Sequence, residues 1–162
     1  MNVNVRSAEE RDIPAIVDLW WEMMHFHAAV DSHFQLREEV AAREAWKKHL
    51  REDIWEQEEW IVLVAEADGE LVGQIIGTVR DPHPVYGQEP YGFVSDLVVA
   101  PEARRSGVAQ ALFEALKAWF REKDVSHLEL QVAHNNPTSQ GFWRAMGCQD
   151  YMDTMWYDLE IT

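Results

Sequence analysis

The chain has one cysteine, Cys148, in 162 residues. A single thiol cannot close an internal disulfide, so the fold must be held by packing and hydrogen bonds. No run of about 20 apolar residues is present, and no charged opening is followed by an apolar stretch, which excludes a spanning helix and predicts a cytoplasmic protein. Basic residues are also few. Fourteen Lys and Arg stand against 29 Asp and Glu, a formal net charge of −15. Such a field repels phosphate backbones and anionic lipid surfaces, so neither nucleic acid nor a membrane is an expected partner, and it favours the approach of cationic amines.

What is present in quantity is apolar and aromatic surface, 47% and 11% of residues, with eight tryptophans. The length suits one ordinary domain, 1–162, with room for a substantial core. Large aromatics prefer to be covered, so a homodimer is a second expectation. Cys148 reads as a small core residue.

Along the chain, Val3 and Val5 alternate with polar neighbours and predict a first strand. Asp12 with Pro14 predicts a helix start, Asp as cap and Pro in the first turn. The helix carries Ile13, Ile16, Val17, Trp20, Met23 and Met24 on an apolar stripe. Trp20 and Trp21 diverge by about 100° on a helix and cannot both face the core, so one of them is free to line a cleft or a dimer contact. His25, His27 and His33 invite a metal reading, but His25 and His27 are two apart and do not share a helical face, and no acid or cysteine completes a ligand set, which argues against a metal site. Glu38 to Trp55 predicts a second amphipathic helix. Trp60–Ala67 and Leu71–Arg80 flank Asp68-Gly69, a hairpin signal. Residues 81–90 hold three prolines and read as a loop. Its His83, Tyr86 and Glu89 are either overhanging an acceptor pocket or simply exposed.

The informative stretch is Tyr91 to Phe120. Phe93, Leu97, Val98 and Val99 favour an extended chain, which Pro101 ends. Beyond Gly107, the apolar Val108, Leu112, Leu116 and Trp119 recur with the period of a helix face, so a helix starts close to Ser106. Between them lies Arg104-Arg105-Ser106-Gly107-Val108-Ala109. A glycine there lets the backbone approach a ligand, the first-turn N–H groups have no partner within the helix, and two arginines match phosphate geometry. Alone, the segment is equally an ordinary helix N-terminus with two solvated arginines.

A second segment decides between these. Asn136-Pro-Thr-Ser139-Gln-Gly-Phe142-Trp143-Arg-Ala-Met-Gly147-Cys148 follows the strand-like Leu128–Val132. Pro101-x-x-Arg104-x-x-Gly107-x-Ala109 and this second run together resemble the linked signatures of the GNAT superfamily of N-acetyltransferases, from about Val62 to Thr162. The resemblance implies an α/β (α+β) fold: a central mixed, mostly antiparallel sheet, splayed between the fourth and fifth strands and flanked by about four helices. It implies acetyl-CoA as co-substrate, no metal, and transfer of an acetyl group to a primary amine of a small molecule or peptide by direct attack.

By the same resemblance, the main chain of Leu97, Val98 and Val99 pairs with the pantetheine arm. Arg104, Arg105, Ser106, Gly107, Val108 and Ala109 hold the pyrophosphate, and Asn136 contacts the cofactor, a role compatible with capping the helix that includes Pro137. Asp96 is the candidate base or else a structural carboxylate paired with a neighbouring strand or loop. Trp143 stands where many relatives have a tyrosine thought to protonate the CoA thiolate. Indole donates a hydrogen bond but is no practical acid, so Trp143 either packs on the pantetheine or leaves protonation to another group or water. This departure also supports an alternative, a non-catalytic acyl-CoA sensor or interaction domain of the same fold.

Overall fold

The computed structural model describes residues 2–159. The elements run β1 (Asn4–Ser7), α1 (Ile13–Val30), α2 (Glu39–His49), β2 (Trp60–Ala67), β3 (Glu70–Arg80), β4 (Tyr91–Val99), α3 (Val108–Glu122), β5 (Leu128–Leu130) and α4 (Pro137–Ala145). One sheet of spatial order β1-β2-β3-β4-β5 contains all the strands. The first four pair antiparallel, and β5 lies parallel to β4. Asp68 and Gly69, both at positive φ, make the tight turn between β2 and β3.

The two faces of the sheet are filled by different helices because strand side chains alternate. On one face Val62, Val64 and Ile76 meet Ile13, Ile16 and Val17 of α1, with Leu50 and Ile54. On the other face Leu63, Ala65, Ile75 and Val94 meet Val108, Leu112, Leu116 and Phe120 of α3. Leu112 and Leu116 are fully buried. Truncating either to alanine would cost about 2–5 kcal/mol. α3 sits unusually close to the sheet: a Cβ on Gly77 would lie 2.6 Å from Leu116, and one on Gly92 would lie 2.7 Å from Phe120.

Several expected boundaries move. α3 begins at Val108 rather than Ser106, because Gly107 at φ 90° is its left-handed N-cap. The second helix stays α-helical only to His49 and then widens into a π turn over Leu50–Ile54, which turns Leu50 and Ile54 into the core. Glu38 caps α2 by accepting the N–H groups of Val40 and Ala41. Asp12 does not cap α1 with its side chain. Its carboxylate instead accepts from Arg6 at 2.6 Å and from the Glu9 N–H at 2.8 Å, which ties β1 to the start of α1. The strand expected over Leu128–Val132 pairs only as far as Leu130. That last shortening creates the opening described next.

Candidate active site

β4 and β5 pair at Gly92↔Leu128, Phe93↔Glu129 and Val94↔Leu130, and then separate while β4 continues to Val99. At the point of separation β4 carries a bulge: Gly77 faces Val94 and Ile76 faces Asp96, so Ser95 is the extra residue. Beyond it, Ala100 gives its N–H to Val72 O. The alternation of an antiparallel ladder then turns the N–H and C=O groups of Leu97 and Val99 away from β3 and into the gap. Val98 faces β3 with its main chain and packs its side chain against Leu19. Of the three residues expected to offer main-chain groups, Leu97 and Val99 are oriented to do so.

The gap ends at the corner before α3. Gly107 makes no side-chain cap, and the first bond of the helix runs from Ala111 N–H to Gly107 O. The N–H groups of Val108, Ala109 and Gln110 therefore have no partner within the helix. A Cβ placed on Gly107 meets nothing within 4 Å, so the space above the corner is open. Ser106 Oγ donates to Ala103 O at 2.6 Å, and Arg105 takes φ 60°, which together tighten the turn that leads into α3. The donors, the open space and the charge fit a diphosphate. The two arginines differ. Arg105 extends into solvent, whereas Arg104 Nε donates to Val99 O at 3.0 Å and its Nη2 pairs with Glu22 of α1 at 3.3 Å. Nothing in the sequence signalled this partner for Arg104.

Asp96 sits just past the bulge, half-buried, with Ser95 Oγ donating to its Oδ2 at 2.6 Å. Burial pushes its carboxyl above the ordinary range, and Ser95 and the nearby His49 oppose that rise. A carboxylate raised in this way holds a proton more readily, the property a base needs near neutral pH.

Asn136 is buried and caps α4, its Oδ1 accepting the Ser139 N–H at 3.1 Å. It opens the helix that follows β5. Trp143 is buried in the core, edge-on to Phe113 at 5.1 Å and packed on Phe142, so its environment is that of a structural aromatic. Cys148 packs against the same cluster, and burial raises its thiol.

Two cavities flank α1. One of about 390 Å³ is lined by Asp18, Trp21, Glu22, His25, Glu39 and Arg43, and one of about 290 Å³ includes Trp20, Met24, Leu36, Arg37 and Trp46. Trp20 stacks on Trp46 at 4.8 Å, while Trp21 faces the first cavity, so the neighbouring tryptophans do diverge and each lines a different recess. His83, Tyr86 and Glu89 are all exposed in their loop. His33 is hydrogen-bonded to Asp31, and among the described residues no three His, Cys, Asp or Glu side chains gather as metal ligands would.

Comparison with known proteins places this geometry. The chain is 24% identical over 155 residues to the peptidyl-lysine N-acetyltransferase YiaC of Escherichia coli K12, covering 95% of this chain and 88% of that one. It is 27% identical over 101 residues to an aminoglycoside N(6')-acetyltransferase type 1 of Acinetobacter haemolyticus, covering 61% and 69%. A mutant BH1408 protein from Bacillus halodurans superposes with a TM-score of 0.82 at 20% identity, over 97% of this chain and 99% of that one. The profile of the acetyltransferase (GNAT) family matches residues 14–148, and the chain belongs to that family.

Proposed function

We propose that the protein transfers the acetyl group of acetyl-CoA to a primary amine by direct attack, with the opening between β4 and β5 as the seat of the thiol-bearing arm. The observation that carries this reading is the join of two features: a strand whose inner edge is left unpaired by β5 beyond Val94, with only the Val99 carbonyl engaged, by Arg104, and an uncapped glycine corner at its end.

When bound, acetyl-CoA supplies a thioester carbonyl open to nucleophilic attack. The chain's own groups do the rest. The main chain of Leu97 and the N–H of Val99 hold the pantetheine arm in the gap, beside the Val99 carbonyl that Arg104 engages. The amides of Val108 and Ala109, with the turn of Arg104, Arg105, Ser106 and Gly107, bind the diphosphate. The bulge frees main-chain groups at Ser95, beside the place where the carbonyl must be held. Asp96 accepts the proton that the amine loses as it attacks. Asn136 fixes the start of α4 at the mouth of the gap. Trp143 supports that helix from within the core, and the leaving thiolate, with an ordinary thiol pKa of about 8.5, takes its proton from water.

The acceptor reading is a cationic amine, a small molecule or a peptide side chain. It is supported by the acidic balance of the chain and by relatives named for lysine and aminoglycoside acetylation. Acetyl-CoA incubated with a lysine peptide, kanamycin and simple primary amines, with thiol release followed, tests it. Release no faster than hydrolysis with every amine would overturn it.

A homodimer is also proposed. Tyr151, Met152, Met155, Trp156 and Tyr157 are 66–92% exposed, more apolar surface in one short segment than a monomer ordinarily leaves open. Sedimentation as a monomer at high concentration would rule this out. A cytoplasmic location accords with the lone cysteine, and no helix among the described residues is long and apolar enough to cross a membrane.

A further inference from the structure

The two recesses beside α1 differ in charge. The one at Trp21 is lined by three carboxylates, Asp18, Glu22 and Glu39. The other, of about 290 Å³, lies between α1, α2 and the connector that joins them, and no carboxylate lines it. Its walls are apolar: Trp20 and Met24 of α1, Leu36 of the connector, Ala45 and Trp46 of α2. The indoles of Trp20 and Trp46 lie parallel, 4.8 Å between centroids and 9° between planes, and neither residue is fully buried. A volume at the lower end of small-molecule sites, about 300–1,000 Å³, suits one compact apolar body.

The charge in this recess is unmatched. Arg37, exposed in the connector, is followed by two glutamates, and both are committed elsewhere. Glu38 accepts the N–H groups of Val40 and Ala41 at 3.1 and 3.2 Å, and Glu39 pairs with Arg43 at 2.8 Å. The lysines of α2 are also engaged, Lys47 with Glu44 and Lys48 with Glu52. Arg37 has no ion-pair partner among the described residues, in a chain with 29 acidic residues to choose from. Stacked aromatics beside an unpaired guanidinium are complementary to an apolar body that carries a carboxylate. The recess is also joined to the acetyl seat: Leu19 and Met23, the neighbours of Trp20 and Met24 on α1, pack with Val98 of β4.

We propose that this recess selects the acceptor, taking the apolar side chain of a free amino acid while Arg37 holds its carboxylate. The proposal rests on the opening between β4 and β5 as the acetyl seat, and it names the class of amine presented there. An amino acid keeps the ammonium group that the acidic chain attracts and adds an anion that Arg37 reads. Amines without a carboxylate, kanamycin among them, lack that second contact.

Calorimetry with 3-phenylpropionate, which has the body and the carboxylate but no amine, tests the recess without turnover. The parent protein should bind it at least about five-fold more tightly than 3-phenylpropionamide. Arg37→Gln should erase that difference, and Ala45→Leu, which fills the recess from an exposed position on α2, should weaken both ligands. In thiol-release assays with acetyl-CoA, phenylalanine should exceed phenethylamine in kcat/KM, Arg37→Gln should narrow the ratio, and 3-phenylpropionate should compete with phenylalanine. A parent that does not distinguish 3-phenylpropionate from its amide, or a preference that survives Arg37→Gln, overturns the recess as the site; a lysine peptide acetylated in the same assay then leaves acetyl transfer standing. Binding in the recess with phenylalanine no better than phenethylamine assigns the carboxylate to something other than the acceptor and overturns the selection. If no amine is acetylated, the transfer reading fails and the selection with it, whatever the calorimetry shows.

Discussion

Glu22 of α1 and Arg104 of the corner before α3 form an ion pair at 3.3 Å across 82 positions of sequence. The pair occupies an arginine that the diphosphate would otherwise meet free. Both side chains are about half exposed, so the pair is worth at most about 1 kcal/mol. Glu22→Gln is expected to tighten CoA binding by up to about five-fold, with a steeper response to salt because one more cation is free to meet the diphosphate. Calorimetry of CoA binding at two ionic strengths checks this, and weaker binding in the variant would contradict it.

Gly107 combines φ 90° with open space above its Cα. Gly107→Glu adds strain of about 1–2 kcal/mol and a carboxylate where an anion must lie. CoA affinity is expected to fall at least ten-fold, measured by the same calorimetry, while the melting temperature drops only modestly.

Asp96→Asn should lower kcat by about 10²–10⁴-fold with little change in CoA affinity. In the parent protein, activity should fall as pH drops through the Asp96 midpoint, at a pH above the ordinary carboxylate value of about 3.9. The effect on stability has a defined sign. A carboxyl raised in the folded state stabilises the fold below its unfolded value and loses that contribution as pH rises through the folded value. Asp96→Asn should therefore remove the fall in stability between the unfolded and folded values, as read by chemical denaturation at several pH values.

Asp12 shows the opposite sign. Its hydrogen bonds to Arg6 hold the carboxyl below the usual range. Its stabilisation is present above the unfolded value of about 3.9 and is lost as pH falls through the folded one. Asp12→Ala should cost about 1–3 kcal/mol at neutral pH and nearly nothing in strong acid, and denaturant titrations at both ends test that difference.

Trp143 is enclosed by Phe113 and Phe142. Trp143→Phe should keep acetyl transfer within a few-fold while lowering the melting temperature, because a cavity replaces the lost ring. A parent that is silent and a Trp143→Tyr variant that turns over would instead favour a sensor that lacks its acid.

The elements with strong periodicity were legible from the chain. Val108, Leu112 and Leu116 give α3, Asp68-Gly69 gives the hairpin, and the two spaced motifs give the family. What local pattern could not show is where ladders stop and which side chains meet across the fold. Leu128–Val132 has strand character throughout, yet pairing ends at Leu130, opposite Val94 and just where β4 enters its bulge at Ser95. Arg104 reads as a phosphate ligand until Glu22, far away in sequence, arrives beside it. Trp143 reads as a departure from tyrosine, and only packing shows that its ring faces Phe113.

Beyond Val94 the inner edge of β4, the fourth of five strands, is left unpaired by β5. An arm that docks there completes main-chain bonding the polypeptide leaves undone, so the carrier doubles as a stabiliser of the native state by mass action. Resistance to heat and to proteases should then track how much acetyl-CoA is at hand, making the lifetime of the protein a gauge of the supply it consumes.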